Sequence, residues 1–106
     1  MICVMTERRL RPGAWEAFRA AWEPGRFPDP LVRAFHVRDG DDPDHVVSFG
    51  FMDVDRRGLS ALMSSPSVAG EQAARMDAIA PFVEWTGIDG MFEVIEELPG
   101  PAAAGG

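Results

Sequence analysis

Several residue types are scarce or missing in this 106-residue chain, which has no lysine, asparagine or tyrosine and only one cysteine. These absences remove several common catalytic groups, and the single Cys3 excludes an internal disulfide and an all-cysteine metal site. No apolar run approaches the roughly 20 residues that a membrane-spanning helix needs. The first residues also lack the basic, apolar and small-residue order of a signal peptide, so we expect a soluble cytoplasmic protein.

The net charge of the chain limits the kinds of molecule that it is expected to bind. The formal net charge is −7, and all ten basic residues are arginines. A chain of this charge is repelled by nucleic acid and by anionic membranes, and we expect neither as a partner. The hydrophobic content of 46% is typical of a folded domain, and the length suits one domain with one core.

Residues 31–52 predict a β-hairpin with the strands LVRAFHVR and HVVSFGFM joined by the acidic turn DGDDPD. Pairing Arg38 with His45 across this turn places His36 opposite Val47. One face then holds Val32, Ala34, His36, Val47, Phe49 and Phe51. Both faces are largely apolar, so both need cover. Helices can cover one face, and we expect a second copy of the chain to cover the other.

The remaining elements follow from periodicity and from the prolines and glycines. Before the hairpin they are a strand at 2–10, a helix at 14–22 and a loop at 23–30. After it come a short helix capped by Asp53 or Asp55 and a helix that starts at Pro66 after Ser65 and kinks or ends at Pro81. The last element is a strand at 87–98. This order predicts an α+β, ferredoxin-like split βαβ fold with a four-stranded antiparallel sheet and helices on one face. The domain spans residues 1–98, and residues 99–106 are predicted to be a disordered tail.

Five stretches carry a family resemblance that covers residues 1–98: a first strand ending in RPG, the helix AWEAFRAAW, the hairpin DGDDPDHVVSFGFMD, a Ser-Pro at the second helical region, and the closing strand GMFEVIEEL. Together they resemble the antibiotic biosynthesis monooxygenase (ABM) domain of the dimeric α/β-barrel superfamily. The resemblance implies a homodimer joined through its sheets, with a small-molecule pocket between sheet and helices. It also implies either a cofactor-independent oxygenase of polycyclic aromatic substrates or a haem-degrading enzyme.

The residue sets of these two branches do not transfer to this chain. The haem-degrading branch has an asparagine at a position near Thr6, and a tryptophan and an iron-binding histidine in the second helical region. Residues 55–80 contain neither tryptophan nor histidine. The quinone-forming branch uses asparagine, tryptophan, tyrosine and arginine, and this chain has no asparagine or tyrosine.

His36 is the best available catalytic base, since histidine titrates near neutral pH. Its alternative role is that of a core or interface histidine with one hydrogen bond. His45 is predicted to be a solvated strand end, and no metal site is predicted. The predicted ligand-binding residues are Thr6, Arg33, Phe49, Phe51, Met63, Met76 and Trp85. The apolar members of this set could equally be plain core, and Arg33 could instead pair with a nearby acid.

The sequence is therefore compatible with three alternative functions. The first is a small dimeric ABM-like monooxygenase acting on a flat apolar, aromatic or polyketide-like molecule without a metal or organic cofactor. The second is a non-catalytic dimer that binds a small hydrophobic metabolite. The third is a haem-binding or haem-degrading protein with His36 or Cys3 as the iron ligand.

Overall fold

The computed structural model describes residues 1–22 and 30–101, and within them it has four strands and three α-helices. The elements are β1 (Ile2–Leu10), α1 (Trp15–Ala21), β2 (Leu31–Arg38), β3 (His45–Met52), α2 (Arg56–Met63), α3 (Pro66–Ile79) and β4 (Val83–Glu93). The strands form one antiparallel sheet in the order β2-β3-β1-β4, which confirms the predicted ferredoxin-like arrangement. Most of the loop predicted at 23–30, and residues 102–106 of the predicted tail, lie outside the described residues.

Local sequence explains where α2 and α3 begin and end. The side chain of Asp55 caps α2 by accepting a hydrogen bond of 2.7 Å from the backbone N–H of Gly58. Pro66 occupies the first turn of α3, where its missing N–H is not needed. The helix ends at Ile79 because Pro81 cannot donate the next helical hydrogen bond, and a short 3-10 turn leads into β4.

The register of the hairpin differs by one residue from the predicted one. Arg38 pairs with Val46 rather than with His45, because the backbone N–H of Asp39 bonds the carbonyl of His45 at 3.0 Å. A one-residue shift brings a different set of β3 side chains beside each residue of β2. His36 therefore lies opposite Ser48, not Val47, and shares no face with Phe49 or Phe51.

The last strand also differs from its predicted bounds of 87–98. It begins four residues earlier, at Val83, because Val83 pairs with Leu10 at the end of β1. It ends at Glu93, opposite Ile2, and one further backbone hydrogen bond of 3.0 Å runs from the N–H of Val94 to the carbonyl of Met1. Beyond the strand, Ile95 and Leu98 are 93% and 80% exposed.

The packed core lies at one end of the sheet. Its fully buried members are Leu10, Phe18, Val46 and Ile79, which join β1 and β3 to the middle of α1 and the C-terminal end of α3. Because side chains alternate along strands, the odd-numbered residues of β3 and residues 33, 35 and 37 of β2 point away from the helices. We call this second surface the open face. Its large apolar side chains are Phe35, Val37, Phe49, Phe51 and, from β4, Phe92.

Candidate functional site

A cavity of about 390 Å³ lies between the helix-covered face of the sheet and helices α2 and α3. Its walls are largely apolar, with a few polar groups contributed by the strands. The strands contribute Val4, Thr6, Arg8, Ala34, Ser48, Gly50, Met52 and Met91, and the helices contribute Leu62, Met63, Val68, Gln72, Arg75 and Met76. This size and composition are typical of sites that hold a small organic molecule.

Gly50 keeps the sheet side of the cavity open. A Cβ atom at this position would lie 3.1 Å from Cδ1 of Leu31 and 3.2 Å from the backbone oxygen of Arg33. A side chain at this position would be tight, and the neighbouring atoms of β2 would have to move by a few tenths of an ångström to admit it. Space above Gly50 stays empty for a ligand.

Ser48 and His36 form a hydrogen-bonded pair on the helix-covered face. The distance between Ser48 Oγ and His36 Nδ1 is 2.7 Å, and Ser48 lines the cavity. The imidazole is packed edge-on against Trp22 at 4.5 Å, Trp15 at 5.4 Å and Phe18 at 6.3 Å between ring centroids. His36 thus lies behind the cavity wall and reaches it through Ser48.

Burial lowers the pKa of His36 below its ordinary value of 6.5, and the nearby positive charges of Arg19 and Arg8 lower it further. The imidazole is therefore neutral at pH 7 and can accept a proton. This partner of Ser48 was not foreseen from the sequence, because the predicted register placed Ser48 and His36 on opposite faces. With the register corrected, the pair follows from strand pairing alone.

Arg8 is a second polar group that the sequence analysis did not select. It is 5% exposed, and its guanidinium lies over the ring of Phe18 at 5.6 Å. Its Nη1 atom is buried and has no hydrogen-bond partner among the described residues. Burial lowers the pKa of Arg8. The negative charge of Asp89 raises this pKa, and the positive charge of Arg75 lowers it. Alternation along β1 was the available indication, since Arg8 shares a face with Ile2, Val4 and Thr6.

Four of the predicted ligand-binding residues surround the cavity. These are Thr6, Met63, Met76 and Phe49. The ring of Phe49 points to the open face, where it stacks on Phe35 at 5.1 Å, so Phe49 offers the cavity its backbone.

The other three lie elsewhere. Arg33 and Phe51 belong to the open face, where the Arg33 guanidinium lies 5.1 Å from the centre of the Phe35 ring. Trp85 is half exposed and borders a second recess of about 290 Å³ beside β4.

The two sequence candidates for a haem ligand do not fit the cavity. The His36 ring is packed against three aromatic rings, and its Nδ1 is engaged by Ser48. Cys3 lies on the open-face side of β1, and burial raises the pKa of its thiol, which keeps the sulfur protonated. Neither side chain is placed to bind iron inside the cavity, so no step through haem is derived.

His45 forms an ion-paired cluster rather than a solvated strand end. Its Nε2 lies 2.8 Å from Oε2 of Glu7, and its Nδ1 lies 3.5 Å from Oδ2 of Asp39. The hydrogen bond to Glu7 is the main cause that raises the pKa of His45, and the same bond lowers the pKa of Glu7. The cluster is on the open-face side of the sheet, away from the cavity.

No protein-family model and no curated protein match this chain. Solved structures do share its fold. A proposed antibiotic biosynthesis monooxygenase from Chloroflexus aurantiacus has a TM-score of 0.65 at 19% identity, covering 92% of this chain and 96% of its own. A second from Nitrosomonas europaea has a TM-score of 0.66 at 14% identity, covering 91% and 100%. SnoaB, a cofactor-independent oxygenase from Streptomyces nogalater, has a TM-score of 0.65 at 14% identity, covering 93% and 97%.

These likenesses confirm that the chain has the fold seen in the ABM proteins. At 14–19% identity they establish the fold and assign no activity. Within the described part of the chain, no helix has the length and apolar character needed to cross a membrane.

Proposed function

We propose that this protein is a small homodimeric, cofactor-independent monooxygenase that acts on a flat aromatic molecule held in the cavity. The observation that carries the proposal is the Ser48–His36 pair, which brings a neutral imidazole within one hydrogen bond of a largely apolar cavity. Such a pair supplies the proton acceptor that an otherwise apolar site needs. The proposed setting is the cytoplasm.

The chemistry requires a substrate that can itself supply electrons to oxygen. In an anthrone, the C–H bond between the rings is acidic, and its proton passes to the Ser48–His36 pair. The resulting enolate then transfers electrons to O₂. One oxygen atom becomes the new C=O, and the other leaves as water with the two hydrogens lost from the carbon. The balanced reaction converts one anthrone and one O₂ into one anthraquinone and one water.

The apolar cavity contributes to this reaction by excluding water. A flat ring system packs against the Met63 and Met76 side chains, whose thioethers adapt to aromatic surfaces. Desolvation also strengthens the interaction of the cavity's polar groups with charge that develops on the substrate. SnoaB, which shares the fold, is itself a cofactor-independent oxygenase, and this supports the proposal by analogy.

The open face supports the homodimer. Three large apolar side chains of the open face are exposed to solvent: Phe35 by 36%, Val37 by 44% and Phe92 by 49%. An apolar surface of this kind marks an interaction site in a protein that must stay in solution. A second copy of the chain offers a matching apolar sheet, and this arrangement buries both faces at once.

A second candidate function is binding without turnover. The apolar character of the cavity favours it, because the described lining residues include few groups that could move a proton. Under this alternative the protein would bind a hydrophobic metabolite tightly and consume no oxygen.

Oxygen consumption separates the two candidates. The purified protein is mixed with an anthrone in an oxygen-electrode cell, and the quinone is followed by absorbance. The proposal expects one O₂ consumed for each quinone formed, above the rate of spontaneous oxidation. A change in the anthrone spectrum on binding, with oxygen uptake at the spontaneous rate, would favour the binding protein.

A further inference from the structure

We propose that Arg8 forms an anion subsite in the cavity, which binds an ionised oxygen of the aromatic ligand, either a carboxylate or a phenolate or enolate. The inference rests on the proposed function in one respect, that the cavity holds a flat aromatic molecule. It adds the chemical class of that molecule and the residue that selects it.

The first observation is the unbalanced charge of Arg8. Arg8 as a whole residue is 5% exposed, and within residues 1–22 and 30–101 its Nη1 has no hydrogen-bond partner and its guanidinium forms no ion pair. Buried charges in folded proteins are normally paired, because removing an ion from water is costly. A buried cation that borders a cavity and lacks a counterion indicates that the counterion comes with the ligand.

The second observation is the charge of the surroundings. Arg75, which also lines the cavity, adds positive charge near the same space. Glu71 opposes this charge from the exposed side of the cavity lining, and Asp89 lines the second recess together with Arg8 and raises the pKa of Arg8. The inner wall is therefore cationic in a chain whose net charge is −7. This local reversal of sign favours an anionic ligand over a neutral one of the same shape.

The third observation is the position of Arg8 relative to the proton acceptor. Ser48 pairs with Thr6 across the sheet, and Arg8 is two residues further along the same face of β1. Such diagonal neighbours are roughly 7–8 Å apart, about the width of a fused ring system. One edge of a bound ring can therefore approach Ser48 while an oxygen at another edge faces Arg8. The guanidinium carbon of Arg8 also lies 5.6 Å from the centre of the Phe18 ring.

The test uses two matched fluorescent probes, anthracene-9-carboxylate and anthracene-9-carboxamide, which share size and shape but differ in charge. Each is titrated into the full-length protein at pH 7.5 and low salt. Arg8→Met removes the charge and keeps an unbranched side chain about as long as the aliphatic stem of arginine, and Arg8→Lys keeps the charge. Arg9→Met is the control, since it removes the same charge from the neighbouring residue on the other face of β1. Circular dichroism and urea midpoints are recorded for each variant.

The expected result is that the wild type binds the carboxylate at least tenfold more tightly than the carboxamide. Arg8→Met should reduce this ratio to about one, Arg8→Lys should keep part of it, and Arg9→Met should leave it unchanged. The inference is overturned if the wild type shows no preference, if neither probe binds at millimolar concentration, or if the preference survives in Arg8→Met. It is also overturned if Arg8→Met unfolds while Arg8→Lys shows no preference, because Arg8 would then be structural.

Failure of the proposed function gives a different pattern. In that case the carboxylate preference persists, but no aromatic substrate is oxidised above the spontaneous rate.

Discussion

The hydroxyl of Ser48 and Nδ1 of His36 lie 2.7 Å apart, on neighbouring strands whose residues are direct cross-strand partners. The serine borders the cavity, while the imidazole is enclosed by aromatic rings behind it. This relationship gives the site a proton acceptor that is shielded from solvent and still connected to a ligand. It also makes the pair the most direct target for mutation.

We expect Ser48→Ala and His36→Phe each to lower kcat/KM for anthrone oxidation by about 10²- to 10⁴-fold, the range of general acid–base catalysis. Because the pKa of His36 is lowered from 6.5, its neutral form persists to lower pH, and the acidic limb of the rate profile should lie below pH 6.5. The measurement is oxygen uptake between pH 5 and 8. Ser60→Ala, on the exposed surface of α2, is the control. Full activity in both variants would remove the pair from the mechanism.

The His45 cluster should stabilise the fold only within a pH window. The raised pKa of His45 means that its contribution is complete below 6.5 and is lost as pH rises through the folded value. The lowered pKa values of Glu7 and Asp39 mean that their contributions are lost only in more acidic solution.

His45→Gln should therefore lower the urea midpoint more at pH 5.5 than at pH 8.5. His36 has the opposite dependence, since its folded pKa is depressed and its burial costs stability as pH falls below 6.5. Taking the difference between wild type and variant at each pH cancels that effect. An equal loss at both pH values would show that His45 acts through packing and not through its charge.

Filling the cavity should abolish ligand binding while leaving the fold intact. Val68 faces the cavity from α3, and Val68→Trp places an indole in space that is already empty. We expect probe affinity to fall by at least about tenfold and the free energy of unfolding to change by less than about 1.5 kcal/mol, since overpacking strain is avoided. Val32→Trp, at a position 56% exposed on the edge strand β2, is the matched control. Unchanged affinity in Val68→Trp would place the ligand elsewhere.

The open face can be tested by introducing a charge. We expect Phe92→Asp to raise the dissociation constant of the homodimer by at least about 100-fold, because an unpaired charge buried in an apolar interface costs about 3 kcal/mol or more. Native mass spectrometry and light scattering report the subunit number. Ala69→Asp adds the same charge on the exposed side of α3 and should leave the dimer intact. A wild-type protein that is monomeric at 50 µM would refute the interface outright.

Much of the fold could be predicted because proline, glycine and apolar periodicity act locally. Pro66 and Pro81 mark the start and the end of α3 within a few residues, and the alternation in β1 correctly assigns its two faces. These features depend on backbone geometry that each residue imposes on its own neighbourhood. The order of strands and helices then leaves few compact arrangements.

The site was less predictable, because it depends on contacts between distant segments. The sequence of the acidic turn does not reveal whether Arg38 or Asp39 pairs with His45 next to the loop. This one-residue difference in register decides whether His36 lies opposite Ser48. Arg8 lies between Glu7 and Arg9 in a run that looks like a solvated strand end. The packing of Phe18 from α1 over that strand helps to make Arg8 a buried cation, and this contact joins segments that are distant in sequence.

The position of the cavity beside the core, rather than within it, has a consequence for how a ligand enters. None of the eight residues of α2 is fully buried, and α3 has one fully buried residue, Ile79, at its C-terminal end. Segments with little buried surface open at a smaller free-energy cost than the rest of a fold. Helix α2 and the N-terminal part of α3 can therefore separate from the sheet while Leu10, Phe18, Val46 and Ile79 stay packed. We expect amide hydrogens of α2 to exchange faster than those of β1 and β3, and local opening of this kind would let a ligand enter without unfolding the domain.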